Sequence, residues 1–199
     1  MISWITDVIA AGGVWGIFAL MLLENLFPPI PSELIMPMAG FAVARDQMSM
    51  TGVLVAGLLG TLAGNAVWFE AARWFGAART KALVARFGGW LGITREDMDK
   101  AEVTLRRHGP WAVLIGRLMP GIRTVISIPA GLIEMPRALF YGLTALGSAV
   151  WIGLLTVTGY VLEERFGVVE TWLDPVGKVI VVVLAALMLW TLWALWRRR

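Results

Sequence analysis

No cysteine occurs among the 199 residues, which excludes disulfides, thiolate metal sites and thiol catalysis while leaving the redox compartment open. The single histidine, His108, cannot build a zinc site. The start of the chain has neither a charged n-region nor a small-residue cleavage site, so no removable signal peptide is expected. Charged residues amount to 16% and hydrophobic ones to 58%. The mean hydropathy of +0.75 is far above that of a soluble domain, so the chain is expected in a bilayer as a single membrane domain spanning residues 1–199. Several of the eleven tryptophans, among them Trp4, Trp15, Trp68, Trp111, Trp172 and Trp190, stand near the ends of apolar runs and suit the headgroup belts.

A spanning helix needs about 20 apolar residues, and three stretches offer that length: 51–76, 137–162 and 176–196. The runs 13–27, 34–44, 111–119 and 122–133 are shorter and are joined in pairs by proline-rich breaks. Pro28 and Pro31 mark one break, Pro120 and Gly121 the other. Two short apolar arms around such a tip are expected to form a re-entrant hairpin, which membranes tolerate only where protein or water satisfies the broken backbone. The chain also repeats itself. The run from Pro28 to Ala39-Gly40 is echoed from Pro120 to Ala130-Gly131, and Gly64-Asn65-Ala66-Val67-Trp68 by Gly147-Ser148-Ala149-Val150-Trp151. The expected fold is therefore all-α and polytopic: three spanning helices plus two opposed re-entrant hairpins in an inverted repeat. Repeat 1 covers about 13–76, a linker 77–110, repeat 2 about 111–162, and a last spanning helix 176–196.

Arginine and lysine placement sets the expected orientation. The linker holds Arg79, Lys81, Arg86, Arg95, Lys100, Arg106 and Arg107, and the chain ends in Arg197-Arg198-Arg199, so both regions are expected to be cytoplasmic and the N-terminus outside. These basic residues are explained by topology, which sets nucleic acid aside as a partner. Within the linker, Thr94 is expected to cap a helix that His108-Gly109-Pro110 stops. Its patchy apolar face suits the membrane surface.

Each hairpin break carries charge, of opposite sign: Glu24 and Glu33 flank the first, Arg117 and Arg123 the second. Charge at membrane depth costs roughly 2.5–3.5 kcal/mol on insertion scales and marks a pathway or a substrate site. Guanidinium groups form forked bonds to phosphate oxygens and keep their proton, so Arg117 and Arg123 are candidates to hold a phosphorylated head group. The alternative is that they neutralise the two acids across the repeat interface. Glu24 and Glu33 are candidates for proton coupling or for fixed ion pairing. Asn65 and Arg73 are secondary candidates, and Glu70 is spaced to pair with Arg73 at i,i+3. No metal or cofactor site is expected.

The stretches E-N-L-F-P-P-I-P-S-E at Glu24 to Glu33 and G-R-L-M-P-G-I-R at Gly116 to Arg123, followed by Ala130-Gly131, resemble the DedA family of bacterial inner-membrane proteins, also called the VTT or SNARE-associated domain. The resemblance implies a lipid translocator rather than an enzyme. Its substrate would be undecaprenyl phosphate or, alternatively, phosphatidylethanolamine or another phospholipid, moved across the cytoplasmic membrane with protons as a candidate driving ion. It also implies that Glu24 and Glu33 correspond to the family's embedded acids, and Arg117 and Arg123 to its essential arginines. Where the family usually shows G-D-x-x-x-Y-x-x-G-R, this chain has Gly64-Asn65, Phe69, Ala72 and Arg73, so a titratable carboxylate is replaced by an amide. A membrane enzyme acting on lipid phosphates and an ion or proton antiporter remain the rival readings from other classes. A homodimer stays open.

Overall fold

The computed structural model describes residues 2–26, 31–87, 95–119, 123 and 126–164. They form seven helices: α1 (Ile2–Leu26), α2 (Ser32–Ala44), α3 (Met50–Phe87), α4 (Arg95–His108), α5 (Pro110–Arg117), α6 (Ser127–Leu132) and α7 (Arg137–Glu164). Met1–Tyr160 make one compact unit; of the second, Val161–Arg199, the described part is 161–164, the end of α7. The expected span 176–196 and the tip residues Pro28, Pro120 and Gly121 lie outside the described residues.

Among the described residues, three helices are long and apolar enough to cross a membrane: Trp4–Leu26, Met50–Thr80 and Arg137–Glu163. Two of them contain the stretches 51–76 and 137–162 expected from the sequence. The first adds a helical segment ahead of the arm expected over 13–27, because helix already begins at Ile2 and a kink at Gly13 divides the two. Ile5 and Ile9, one turn apart, bury completely or nearly so and hold this extra length against the core. The arm's expected start survives as a break at Gly13, whose φ of 53° belongs to the left-handed region that glycine enters without a Cβ penalty. Gly76, with φ 74°, breaks α3 in the same way where the span was expected to end, and helix resumes to Phe87.

Packing divides into apolar layers on either side of a polar one. The first apolar cluster joins Ile5, Ile17, Leu20 and Met21 of α1 to Ile35, Met36 and Ala39 of α2, Val53 and Ala56 of α3, and Ile152 of α7. The second joins Phe69 of α3, Leu105 of α4, Val113 of α5, Ala130 of α6 and Phe140 of α7. Phe69 and Phe140 stack at 3.9 Å, while Gly57 lies against Ile152, so α3 and α7 run antiparallel. The short helices interlock with this pair. Gly40 of α2 rests on the Thr156 carbonyl of α7, and Gly131 of α6 on the Phe69 carbonyl of α3. A side chain at either glycine would collide with backbone. Between the two clusters, near the middle of the α3 span, lie the buried polar residues Glu24, Asn25, Thr61, Asn65, Arg117, Ser127 and Ser148.

The outer surface is apolar, with Val55, Leu59 and Val67 on α3 and Leu146, Val150 and Leu154 on α7 exposed. On a chain of this composition such faces meet lipid. Trp15, Trp74 and Trp111 are exposed at 76%, 84% and 67%, whereas Trp68, expected in a headgroup belt, turns inward and donates to the Asn25 carbonyl at 2.9 Å.

The linker helix stops where the sequence says it should: the Gly109 N–H bonds the Leu105 carbonyl at 2.7 Å, and Pro110 opens α5. One side of the linker helix packs on the bundle. Met98 and Leu105 are fully buried, Met98 against Ala72, Val84 and Ile128, while Val103 is 65% exposed. Thr94, the expected cap, lies outside the described residues.

Candidate functional site

Six of the helices converge on the polar layer, α7 through Ser148 and Trp151. Glu24 and Asn25 come from the last turn of α1, Glu33 from the first turn of α2, Asn65 from the middle of α3, and Arg117 from the end of α5. Arg123 follows on the connection to α6, whose first residue is Ser127. Arg117 can reach the layer because α7 presents Gly147 to it: a Cβ there would stand 2.7 Å from the Arg117 Cβ.

Arg123 ties the two proline-broken stretches together. Its Nη2 donates to Glu24 Oε1 at 2.6 Å and stands 3.2 Å from Glu33 Oε1. The guanidinium also lies over the Trp151 ring, 5.3 Å from its centre. The Glu24 side chain is 5% exposed and that of Glu33 40%, so one pair is buried and the other reaches the surface.

Arg117 is bound differently. It is 2% exposed, and its partners are neutral: Asn65 Oδ1 at 2.6 Å, Ser127 Oγ at 2.8 Å and the Arg123 carbonyl. Asn65 is the hub, because Oδ1 also accepts from Ser127 Oγ at 2.7 Å while Nδ2 donates to Asn25 Oδ1 at 2.7 Å and to the Thr61 carbonyl at 2.8 Å. Asn25 Nδ2 in turn donates to Glu24 Oε2 at 3.1 Å. Two amides, oriented by their partners, thus bridge the acid to the buried cation. A cavity of about 20 Å³ opens among Glu24, Asn25, Thr61, Arg117, Arg123 and Trp151, room for about one water. Arg117 Nε, Thr61 Oγ1 and Trp151 Nε1 are buried there without a protein partner.

The structure therefore brings together Glu24, Glu33, Arg117, Arg123 and Asn65. Pro31 sits at the start of α2 in an extended conformation, φ −83° and ψ 131°. Arg73 is elsewhere: two turns past Asn65 on α3, it donates to the Met135 carbonyl at 2.9 Å. Its expected i,i+3 partner Glu70 instead accepts from Arg137 at 2.7 and 2.8 Å. Among the described residues no group of three or more His, Cys, Asp and Glu is placed to hold a metal ion.

Sequence reasoning missed Asn25, Ser127 and Trp151. The first had a signal: Asn25 precedes Pro28 by three positions, as Arg117 precedes Pro120, in the matching runs N-L-F-P and R-L-M-P. Trp151 likewise repeats Trp68. Ser127 is a lone small hydroxyl in an apolar run and had none.

A family model, the VTT domain, matches residues 30–161. A Lactococcus lactis protein named alkaline phosphatase-like protein is 31% identical over 188 residues, 94% of this chain and 88% of the relative. Undecaprenyl phosphate transporter A of Staphylococcus aureus is 28% identical over 94% of this chain and 92% of its own length. An uncharacterized membrane protein of Bacillus subtilis is 31% identical over 100% of this chain and 86% of its own length. No solved structure matches significantly.

Proposed function

Because the chain belongs to the VTT-domain (DedA) family of membrane proteins, we propose that it moves a phosphorylated lipid, undecaprenyl phosphate foremost, between the leaflets of the bacterial cytoplasmic membrane. The observation that carries this reading is Arg117: a cation at the core of the bundle whose hydrogen-bond partners among the described residues are all neutral. A buried charge without a counter-charge is costly, and an incoming phosphate supplies one. The name of the Staphylococcus aureus relative supports the choice of lipid.

In this reading the stretches around Pro28–Pro31 and Pro120–Gly121 are the tips of re-entrant hairpins from opposite leaflets, related as an inverted repeat, with linker and C-terminus cytoplasmic. The antiparallel α3 and α7 and the reciprocal seating of α2 and α6 support that symmetry. The two arginines divide the work. Arg117, held by Asn65 and Ser127, is the fixed anchor for the phosphate. Arg123 is the exchangeable partner, resting on Glu24 and Glu33 when the site is free and turning to the phosphate when it arrives. The acids it releases are then free to take up protons, which would couple transport to pH. The lipid tail stays in the bilayer along the apolar outer faces.

The test is leaflet exchange of a labelled polyprenyl phosphate in reconstituted vesicles. Arg117→Ala and Arg123→Ala are each expected to abolish exchange in protein that still inserts, and undiminished exchange would reject the site. Labelled phosphatidylethanolamine in the same vesicles tests the phospholipid alternative. A second reading, an ion or proton antiporter, is favoured by the placement of both acids on one arginine; dye-reported proton flux in vesicles lacking the phosphorylated lipid supports it if present. Phosphate release from polyprenyl phosphate tests the hydrolase that the name of the Lactococcus lactis relative suggests.

A further inference from the structure

Beyond Asn65, the second half of α3 and the first turns of α7 enclose an open groove of about 720 Å³ lined by Glu70, Ala71, Arg73, Trp74, Phe75 and Arg137. Its charges do not cancel. Arg137 grips Glu70 with a forked pair of bonds, Nε to Oε1 at 2.7 Å and Nη2 to Oε2 at 2.8 Å, and Tyr141 Oη donates to the same carboxylate at 3.1 Å. Glu70 is thereby taken up by its α7 partners. The hydrogen bond of Arg73 goes to a neutral acceptor, the Met135 carbonyl, so one positive charge is left over at the groove.

The position is that of a membrane–water boundary. Leu59, Val67 and Trp74, spaced to share one face of α3, are 52%, 51% and 84% exposed, and the helix breaks at Gly76 directly after the groove. An apolar stripe thus ends in an exposed indole and a guanidinium, the arrangement that places acyl chains below and a head group at the level of the tryptophan.

We propose that this groove seats the head group of an anionic glycerophospholipid, its phosphate on the free donors of Arg73, its edge against Trp74, and its acyl chains along Val67 and Leu59. A zwitterionic lipid offers the same phosphate but brings an ammonium into a groove that already has surplus positive charge, so the anionic lipid is selected. The site is separate from the polar layer and does not depend on what that layer transports.

Native mass spectrometry of the delipidated full-length protein, titrated with phosphatidylglycerol or phosphatidylcholine, tests this directly. The first phosphatidylglycerol is expected to bind about fivefold more tightly than phosphatidylcholine, the scale of one arginine at a membrane surface, and Arg73→Gln to remove that preference. Arg106→Gln, the same charge change on α4 at a side chain 62% exposed, is expected to keep it, as is Arg123→Ala in the polar layer. Equal binding of the two lipids, or a preference that survives Arg73→Gln, overturns the proposal. So does a preference lost in Arg106→Gln, which would report net charge alone, or in Arg123→Ala, which would move the lipid to the polar layer. Should Arg73→Gln not yield monodisperse protein, Trp74→Ala, at an exposed position, is expected to weaken phosphatidylglycerol binding about twofold to fivefold through lost apolar contact with the lipid; unchanged binding overturns the proposal equally.

Discussion

Asn65 Oδ1 stands 2.6 Å from Arg117 Nη1 and 2.7 Å from Ser127 Oγ, so one amide oxygen serves both a cation and a hydroxyl in the buried middle of the bundle. The amide fixes the guanidinium without neutralising it. Asn65→Asp would neutralise it, supplying a charge-assisted partner at the same distance. Because it restores the carboxylate that the family motif usually shows at this position, the variant is expected to hold Arg117 in an internal ion pair, to melt no lower than the parent protein and to keep polyprenyl phosphate exchange. Asn65→Leu removes the acceptor altogether, and the stranded guanidinium should cost about 2–3 kcal/mol of stability. Exchange assays and thermal melts in detergent check the two outcomes.

Arg117→Lys keeps the charge and loses the fork. A lysine ammonium has no second nitrogen to span Asn65 and Ser127 while meeting a phosphate. Exchange is expected to fall about tenfold or more although net charge is unchanged, and recovery to wild-type rates would show that charge alone suffices.

The two acids should not be equivalent. Glu24 is 2.6 Å from Arg123 with a side chain 5% exposed, Glu33 3.2 Å away at 40%. Breaking a buried pair costs about 3–5 kcal/mol, whereas an exposed one contributes about 0–1. Glu24→Gln is therefore expected to lower the melting temperature distinctly more than Glu33→Gln, measured side by side in the same detergent; equal shifts would contradict the burial difference.

Two glycines on α7 give a matched pair. A Cβ at Gly147 would meet the Arg117 Cβ at 2.7 Å, while one at Gly142 meets nothing within 4 Å. Gly147→Ala should destabilise by about 1–3 kcal/mol through overpacking and impair exchange by shifting Arg117. Gly142→Ala should leave exchange intact and stabilise α7 by up to about 1 kcal/mol.

What the sequence disclosed follows from which signals are local. The spans 51–76 and 137–162, the stop at His108-Gly109-Pro110, and the opposed acids and arginines all announce themselves through hydropathy, proline and charge over a few residues. The first eleven residues of α1 give a weaker signal, because Ser3, Thr6 and Asp7 interrupt the apolar run and only the i,i+4 pair Ile5 and Ile9 marks the buried face. Pairing was the harder problem. Glu70 and Arg73 have the spacing of partners, yet the long-range fold offers each a better one in Arg137 and the Met135 carbonyl, and spacing cannot register a competitor 60 residues or more away. The amide hub at Asn65 was visible as a departure from an expected aspartate, but its partners Asn25 and Ser127 emerge from the packing of α1, α3 and α6.

The paired amides of Asn25 and Asn65 also act as an insulator. A carboxamide feels the field of its neighbours and passes polarisation along, yet it does not shed and regain a proton at any accessible pH. In the proton-coupled form of the proposal, a proton taken up at Glu24 would therefore not pass through the amides to Arg117. Its route to the surface would run on the Arg123 and Glu33 side, where the Glu33 side chain is 40% exposed.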